Sequence, residues 1–266
     1  MSFIEEHAGK LPRASVTTAI GDAFGFLKDG GTYSIRMVFY CGTVLLLFGL
    51  AQDYFGAKGI WFSILQVMAE SVFIYSWHRY ALLGEQQLGG DHWSAFAKRT
   101  LFYYFVLGVA AVLTFAILFV AAGQTTSGMT GFVTVALIVI CLLFVPRIAL
   151  VFPAIAVNSP NHKMRDAFVL SSGNVPALTG AYVVMAVVAL LVFMPVSIVF
   201  YTAEAEVGLG EESPVYTLVV NAVLGYSVAV STLLWAGLNS SLFKQLGGME
   251  NLDTYKPAET EAGEKA

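Results

Sequence analysis

The sequence predicts an all-α, six-transmembrane-helix polytopic membrane protein: three hairpins, each preceded by a cytoplasmic interfacial amphipathic helix. Three observations predict it. Hydrophobic residues make up 57% of the 266 residues against 12% charged, with a mean hydropathy of +0.73, whereas a soluble domain carries roughly a quarter charged residues. Six apolar blocks are each long enough to cross a bilayer, which takes about 20 residues of helix. Of the 14 Lys and Arg residues, all but Lys58 fall at or toward one side when those blocks are threaded through a membrane.

The first element is amphipathic. In "SVTTAIGDAFGFLKDG" the apolar residues Val16, Ala19, Ile20, Ala23, Phe24 and Leu27 recur at i, i+3, i+4, i+7, i+8 and i+11, one face of a helix that lies in the interface rather than crossing it. The blocks at about 35–55 and 59–82 follow as the first hairpin. "DHWSAFAKR" presents Trp93, Phe96 and Ala97 in the same way, ahead of blocks at 101–122 and 130–153. "NHKMRDAFVLSSGN" presents Met164, Ala167 and Phe168, ahead of blocks at 178–201 and 215–240. Each block is continuously apolar, whereas a membrane barrel shows alternating segments of about ten residues. Residues 1–248 therefore read as one six-helix membrane domain. Residues 249–266, "MENLDTYKPAETEAGEKA", hold five acids, two lysines and little to bury, and read as a disordered acidic cytoplasmic tail.

Short cytoplasmic loops and ends retain Lys and Arg. Lys10, Arg13, Lys28 and Arg36 precede or open the first block; Arg79, Lys98 and Arg99 flank the second connection; Arg147, Lys163 and Arg165 flank the fourth; Lys244, Lys256 and Lys265 follow the last block. Both termini are thus expected in the cytoplasm. The fifth connection, "TAEAEVGLGEESP", has four glutamates and no base, as an outside loop would. No small-residue cleavage site follows the first block, so it is expected to stay as an anchor. Tyr33, Tyr54, Trp61, Trp77, Tyr201 and Tyr216, near block ends, read as interface anchors.

The units echo one another. Asp-Ala-Phe occurs at 22–24 and 166–168, Ser-Ala-Phe at 94–96, and Arg-x-Ala-Leu at 79–82 and 147–150. Phe24, Phe96 and Phe168 then become matching interfacial anchors of a parallel repeat, unlike the inverted repeat common in secondary transporters.

Two charges interrupt the apolar blocks. Glu70 sits midway along the second, in "QVMAESVF", and Arg147 lies in the fourth between Pro146 and Pro153, which remove backbone donors and should kink or end that helix early. Intramembrane charges pair and face the bundle interior, or mark a pathway. Two readings follow: a Glu70–Arg147 pair, with Asn221 nearby, that fixes packing, or a lipid-headgroup or anion site with Glu70 as a proton-linked group.

"SWHRYALLGE" (76–85), "PRIALVFPAIAV" (146–157) and "MRDAFVLSSGN" (164–174) together resemble a group of bacterial inner-membrane proteins related to the membrane domain of glycerophosphoryl diester phosphodiesterases. The likeness runs from about residue 14 to 246. Arg79, Gly84, Glu85, Arg147, Pro153, Ala154, Ser172, Gly173 and Asn174 match its pattern. The soluble catalytic domain of those phosphodiesterases has no counterpart in this stretch, so hydrolysis does not carry over, and the resemblance implies a bacterial inner-membrane protein and nothing about chemistry.

Sites of chemistry are not legible. His7, His78, His92 and His162, even with Glu85 and Asp91, match no zinc spacing. "LGGD" and "KDGG" lack the lysine spacing of a phosphate loop, and there is no Gly-x-Ser-x-Gly elbow. Cys41 and Cys141 lie within apolar blocks as small hydrophobes. "SSGN" (171–174) is expected to end the third interfacial helix with Gly173 or Asn174 left-handed. A net charge of −4 without a basic stripe argues against a nucleic-acid partner. The expectation is a non-enzymatic integral membrane protein with no catalytic residue, metal or cofactor. Its partners would be membrane phospholipids or an envelope protein. The alternative is a transporter or flippase-like carrier of a lipid or small anion using Glu70 and Arg147, with Asn221, Ser227, Ser231 and Asn239 along the path.

Overall fold

In the computed structural model, the described residues are 12–56, 59–90, 92–103, 105, 143–159, 163–207 and 214–249, and their regular structure is helical. The helices are α1 (Val16–Asp29), α2 (Thr32–Phe55), α3 (Ile60–Leu83), α4 (93–103), α5 (Leu143–Ala156), α6 (Met164–Leu170), α7 (Val175–Val207) and α8 (Pro214–Gln245). The expected blocks 35–55, 59–82, 178–201 and 215–240 fall on α2, α3, α7 and α8. The blocks 101–122 and 130–153 lie largely outside the described residues, as does the 249–266 tail beyond Met249. By length and composition α2, α3 and α8 can cross a membrane, and a fourth span exists if α6 and the first half of α7 count as one bent element.

Local chemistry sets the helix ends. Ser15 caps α1 by accepting the Thr18 N–H at 3.3 Å. Gly31, at φ +49°, turns the chain from α1 into α2, a conformation that costs glycine little. α5 is broken at Leu150. Pro153 has no N–H for the Ala149 carbonyl and its ring crowds that oxygen, so the chain tightens there and Leu150 N–H bonds the Arg147 carbonyl three residues back at 3.3 Å. The expected early break is found. Gly173 is left-handed (φ +77°), ending α6, and α7 leaves at 99° to it.

The core lies at one end of the bundle. Buried positions are Ser34 to Leu45 on α2, Ser71 to His78 on α3 and Gly225 to Phe243 on α8, with Leu178 to Met185 on α7. On the sequence reading this is the cytoplasmic end. Toward the other end the same helices turn apolar side chains outward: Leu47 and Phe55 on α2, Trp61 and Leu65 on α3, Leu218 and Leu224 on α8. On α7 the exposed Val183, Val187, Leu190, Leu191 and Met194 make a helical stripe. Apolar surface this continuous suits lipid, not water, and suggests a membrane-embedded protein.

α8 packs against α1, α2, α3, α5 and α7. Its closest approach is to α2: a Cβ at Gly225 would lie 3.0 Å from the Gly42 carbonyl oxygen and the Leu46 nitrogen, and one at Gly42 would overlap the Tyr226 ring. Lipid gives no hydrophobic drive for helices to associate, so close backbone approach through small residues supplies the attraction. Four polar ties add to it near the α8 C-terminus. Tyr182 on α7 donates to Asn239, His78 on α3 shares a hydrogen bond with Ser240 at 2.7 Å, Ser241 donates to Asp22 on α1 at 2.6 Å, and the Ser15 N–H donates to Gln245 at 2.7 Å. Successive residues point about 100° apart, so neighbouring positions on α8 reach different helices.

Several expectations are corrected. Phe96 is not an interfacial anchor: it is fully buried, edge-on to Tyr75 at 5.5 Å, because α4 runs without a break from 93 to 103 and packs into the core. Phe24 is 41% exposed and Phe168 half-buried, so the three phenylalanines do not occupy equivalent surroundings. Trp77 is also fully buried and stacks with Tyr33, while Tyr54 and Trp61 are exposed. The face of α1 built on Ala19 and Ala23 packs on α7 and α8, leaving Phe24 outward.

Gly225→Val should lower stability by roughly 1–3 kcal/mol through overpacking, seen as a lower melting temperature of the purified protein. Gly21→Ala, on α1 with no atom within 4 Å of the added carbon, should leave it unchanged or raise it.

Candidate functional site

The two arginines of the repeated Arg-x-Ala-Leu are both committed to helix ends. Arg147 on α5 donates from Nε to Ser171 Oγ at 2.8 Å and from Nη2 to the Phe168 carbonyl at 2.8 Å. Its guanidinium lies over the Phe168 ring, 4.3 Å from the centroid, and Ser171 Oγ in turn donates to the same carbonyl at 3.0 Å. The last carbonyls of α6 have no intrahelical donors, and a cation there also opposes the negative end of the helix dipole. Arg147 therefore clamps α6 to α5.

Arg79, at the end of α3, donates from Nε and Nη2 to the two oxygens of Glu85, each at 2.7 Å. Nη1 donates to the Ala156 carbonyl, the last of α5, at 3.0 Å. The pair is possible six residues apart because Gly84, left-handed at φ +73°, ends α3 and turns the chain back. Asn174 ties the turn after α6 to the N-terminus: its Oδ1 accepts the Ala14 N–H at 2.9 Å and its Nδ2 donates to the Pro12 carbonyl at 3.1 Å. Pro153 is buried within α5, and Ser172 and Gly173 form the exposed turn beside Asn174. The residues that carry the family-like motif thus gather where α3, α5 and α6 end, and their polar atoms hold those ends together.

Glu70 and Arg147 are not brought together. Glu70 accepts from Gln66, one turn earlier on α3, at 2.9 Å, and among the described residues the ion pair formed is Arg79–Glu85. Asn221 joins neither, donating instead to Asp53 at 2.7 Å and to the Thr217 carbonyl at 2.9 Å toward the other end of the bundle. Of the histidines, His78 is buried and bonded to Ser240, and His92 is exposed. His7, His162 and Asp91 lie outside the described residues.

What the sequence reading missed is a cavity of about 290 Å³ between α3, α4, α5 and α8, partly open rather than sealed. Ile74, Phe96, Phe152, Trp235 and Ala236 make most of its wall. Its polar contributors include His78, Thr100, Thr232 and Asn239, and among the described residues no Lys, Arg, Asp or Glu is in its lining. Thr100 is 2% exposed, and its Oγ1 is buried without a hydrogen-bond partner among the described residues, which ordinarily costs about 1–3 kcal/mol. His78 Nδ1 is taken by Ser240 and Asn239 Oδ1 by Tyr182. Their other nitrogens, Nε2 and Nδ2, form no hydrogen bond among the described residues. Asn239 was legible as a polar span residue, but nothing in the sequence distinguishes Thr100.

No family model, curated protein or solved structure matches this chain.

The geometry makes opposite predictions for two double-mutant cycles read by thermal unfolding. Glu70→Gln and Arg147→Met should add to within about 0.5 kcal/mol, as for separate sites. Arg79→Met and Glu85→Gln should show coupling of about 1 kcal/mol, the upper range for a partly exposed bidentate pair.

Proposed function

We propose that this chain is a non-enzymatic integral protein of a bacterial inner membrane, with six spans and both termini cytoplasmic, that holds lipid within its cytoplasmic half. The observation that carries this reading is the cavity: apolar and aromatic walls, a few convergent polar atoms, and a position among helices of a bundle, which is where small-molecule sites form. The non-enzymatic part is supported by the commitment of Arg79, Arg147 and Glu85 to helix ends, which leaves them no free role in proton transfer. Relatedness to the phosphodiesterase membrane domains remains part of the proposal, and rests on the three motif stretches.

The lipid reading is tested by native mass spectrometry of protein released in native-membrane particles. A lipid retained at fixed stoichiometry is expected; a protein partner at fixed stoichiometry with only bulk lipid would replace it with a scaffold role. The topology is tested by reporter fusions after Lys256 and within 208–213, expected to report cytoplasm and exterior respectively. Carriage across the membrane is the second reading, favoured by the partly open cavity. Lipid flux by the protein in proteoliposomes separates carriage from simple retention.

A further inference from the structure

We infer that the cavity between α3, α4, α5 and α8 receives the uncharged polar end of an amphiphile such as a monoacylglycerol, a hydroxyl or ester carbonyl held among Thr100, His78 and Asn239. This rests on the lipid-holding reading and adds the chemical class and the contacts.

The polar atoms define the class. Thr100 Oγ1 is buried with no partner among the described residues, and a hydroxyl both donates and accepts. With Oδ1 used by Tyr182, Asn239 offers its amide N–H groups. With Nδ1 used by Ser240, His78 offers Nε2, as donor or acceptor according to the direction of the Ser240 hydroxyl. A ligand hydroxyl satisfies such a mixed set, and an ester carbonyl satisfies its donors. An anion fits poorly. Among the described residues no Lys or Arg lines the space, so a carboxylate or phosphate buried against them would lose its hydration without a counter-charge.

Size and depth agree with a lipid end. A cavity of about 290 Å³ is far larger than the roughly 10–15 Å³ that a single water needs, so a glycerol or alcohol end enters with its first methylenes against Phe96, Phe152 and Trp235. His78 lies five residues before the end of α3 and Asn239 six before the end of α8, which is about 8–9 Å below those ends at 1.5 Å per residue. That is the level of ester and hydroxyl groups just beneath the headgroups.

The test uses the full chain in nanodiscs of phosphatidylethanolamine and phosphatidylglycerol, labelled with a monoacylglycerol carrying a diazirine on its first methylenes. Adducts are expected on cavity-lining residues, reduced by excess monooleoylglycerol and not by oleate at a pH where it is ionised. Thr100→Val should weaken competition by monooleoylglycerol about two- to tenfold, the range for one hydrogen bond. Because that hydroxyl has no partner to lose among the described residues, the ligand-free melting temperature should stay the same or rise. Ala236→Phe, which fills the space, should abolish the adducts. Equal or better competition by oleate, or an unchanged Thr100→Val affinity, overturns the inference. If native mass spectrometry still shows bound lipid, the lipid-holding reading survives; if it shows none, both fall.

Discussion

The close approach of α8 to its neighbours is the constraint on which the described structure depends. Gly225 and Gly42 bring two backbones together, and Ala229, Ala236, Gly237, Ser240 and Ser241 continue small, buried residues along α8. Where helices meet in lipid, dispersion and polar pairing do the work that water exclusion does elsewhere. Small side chains let both act at short range. Once α8 is drawn in, Asn239, Ser240, Ser241 and Gln245 fall within reach of α7, α3 and α1.

That convergence explains why the polar network is thick at one end. Short helices and turns leave unpaired backbone groups at that end, and each needs a partner. Arg147 supplies one to the Phe168 carbonyl and Arg79 one to the Ala156 carbonyl, while Asn174 serves both a donor and an acceptor of the N-terminal segment. Arginine suits this task because its planar fork serves several acceptors at once and keeps its charge. The residues that carry the resemblance are, in their contacts, fastenings between helix ends.

The cavity is the complement of that fastening. α4 and α5 present large rings, Phe96, Tyr103 and Phe152, to the small-residue stretch of α8 at Ala236. Of the polar groups on its wall, His78 and Asn239 each spend one hydrogen-bonding site on a neighbouring helix, and Thr100 Oγ1 spends none among the described residues. Buried polar groups are mostly paired, and among the described residues the exceptions are Thr100 Oγ1 on this wall and Trp77 Nε1 in the packed core beside it.

Periodicity and composition alone determined a good deal. The length and continuity of the apolar blocks announced α2, α3, α7 and α8, since spanning lipid demands an unbroken apolar helix. The i, i+3, i+4 pattern announced α1, and the prolines announced the break in α5. These are local constraints, written in neighbouring residues. Partner choice is not local. Glu70 and Arg147 looked complementary because intramembrane charges seek each other, yet Gln66 one turn away and the Phe168 carbonyl at a helix end were nearer. Phe24, Phe96 and Phe168 shared a tripeptide-like context and ended exposed, buried and half-buried, because burial depends on which helix lies opposite. Only the tertiary structure could place Thr100, His78 and Asn239 around one space, since hydrogen-bond partners are assigned by three-dimensional proximity and not by spacing along the chain.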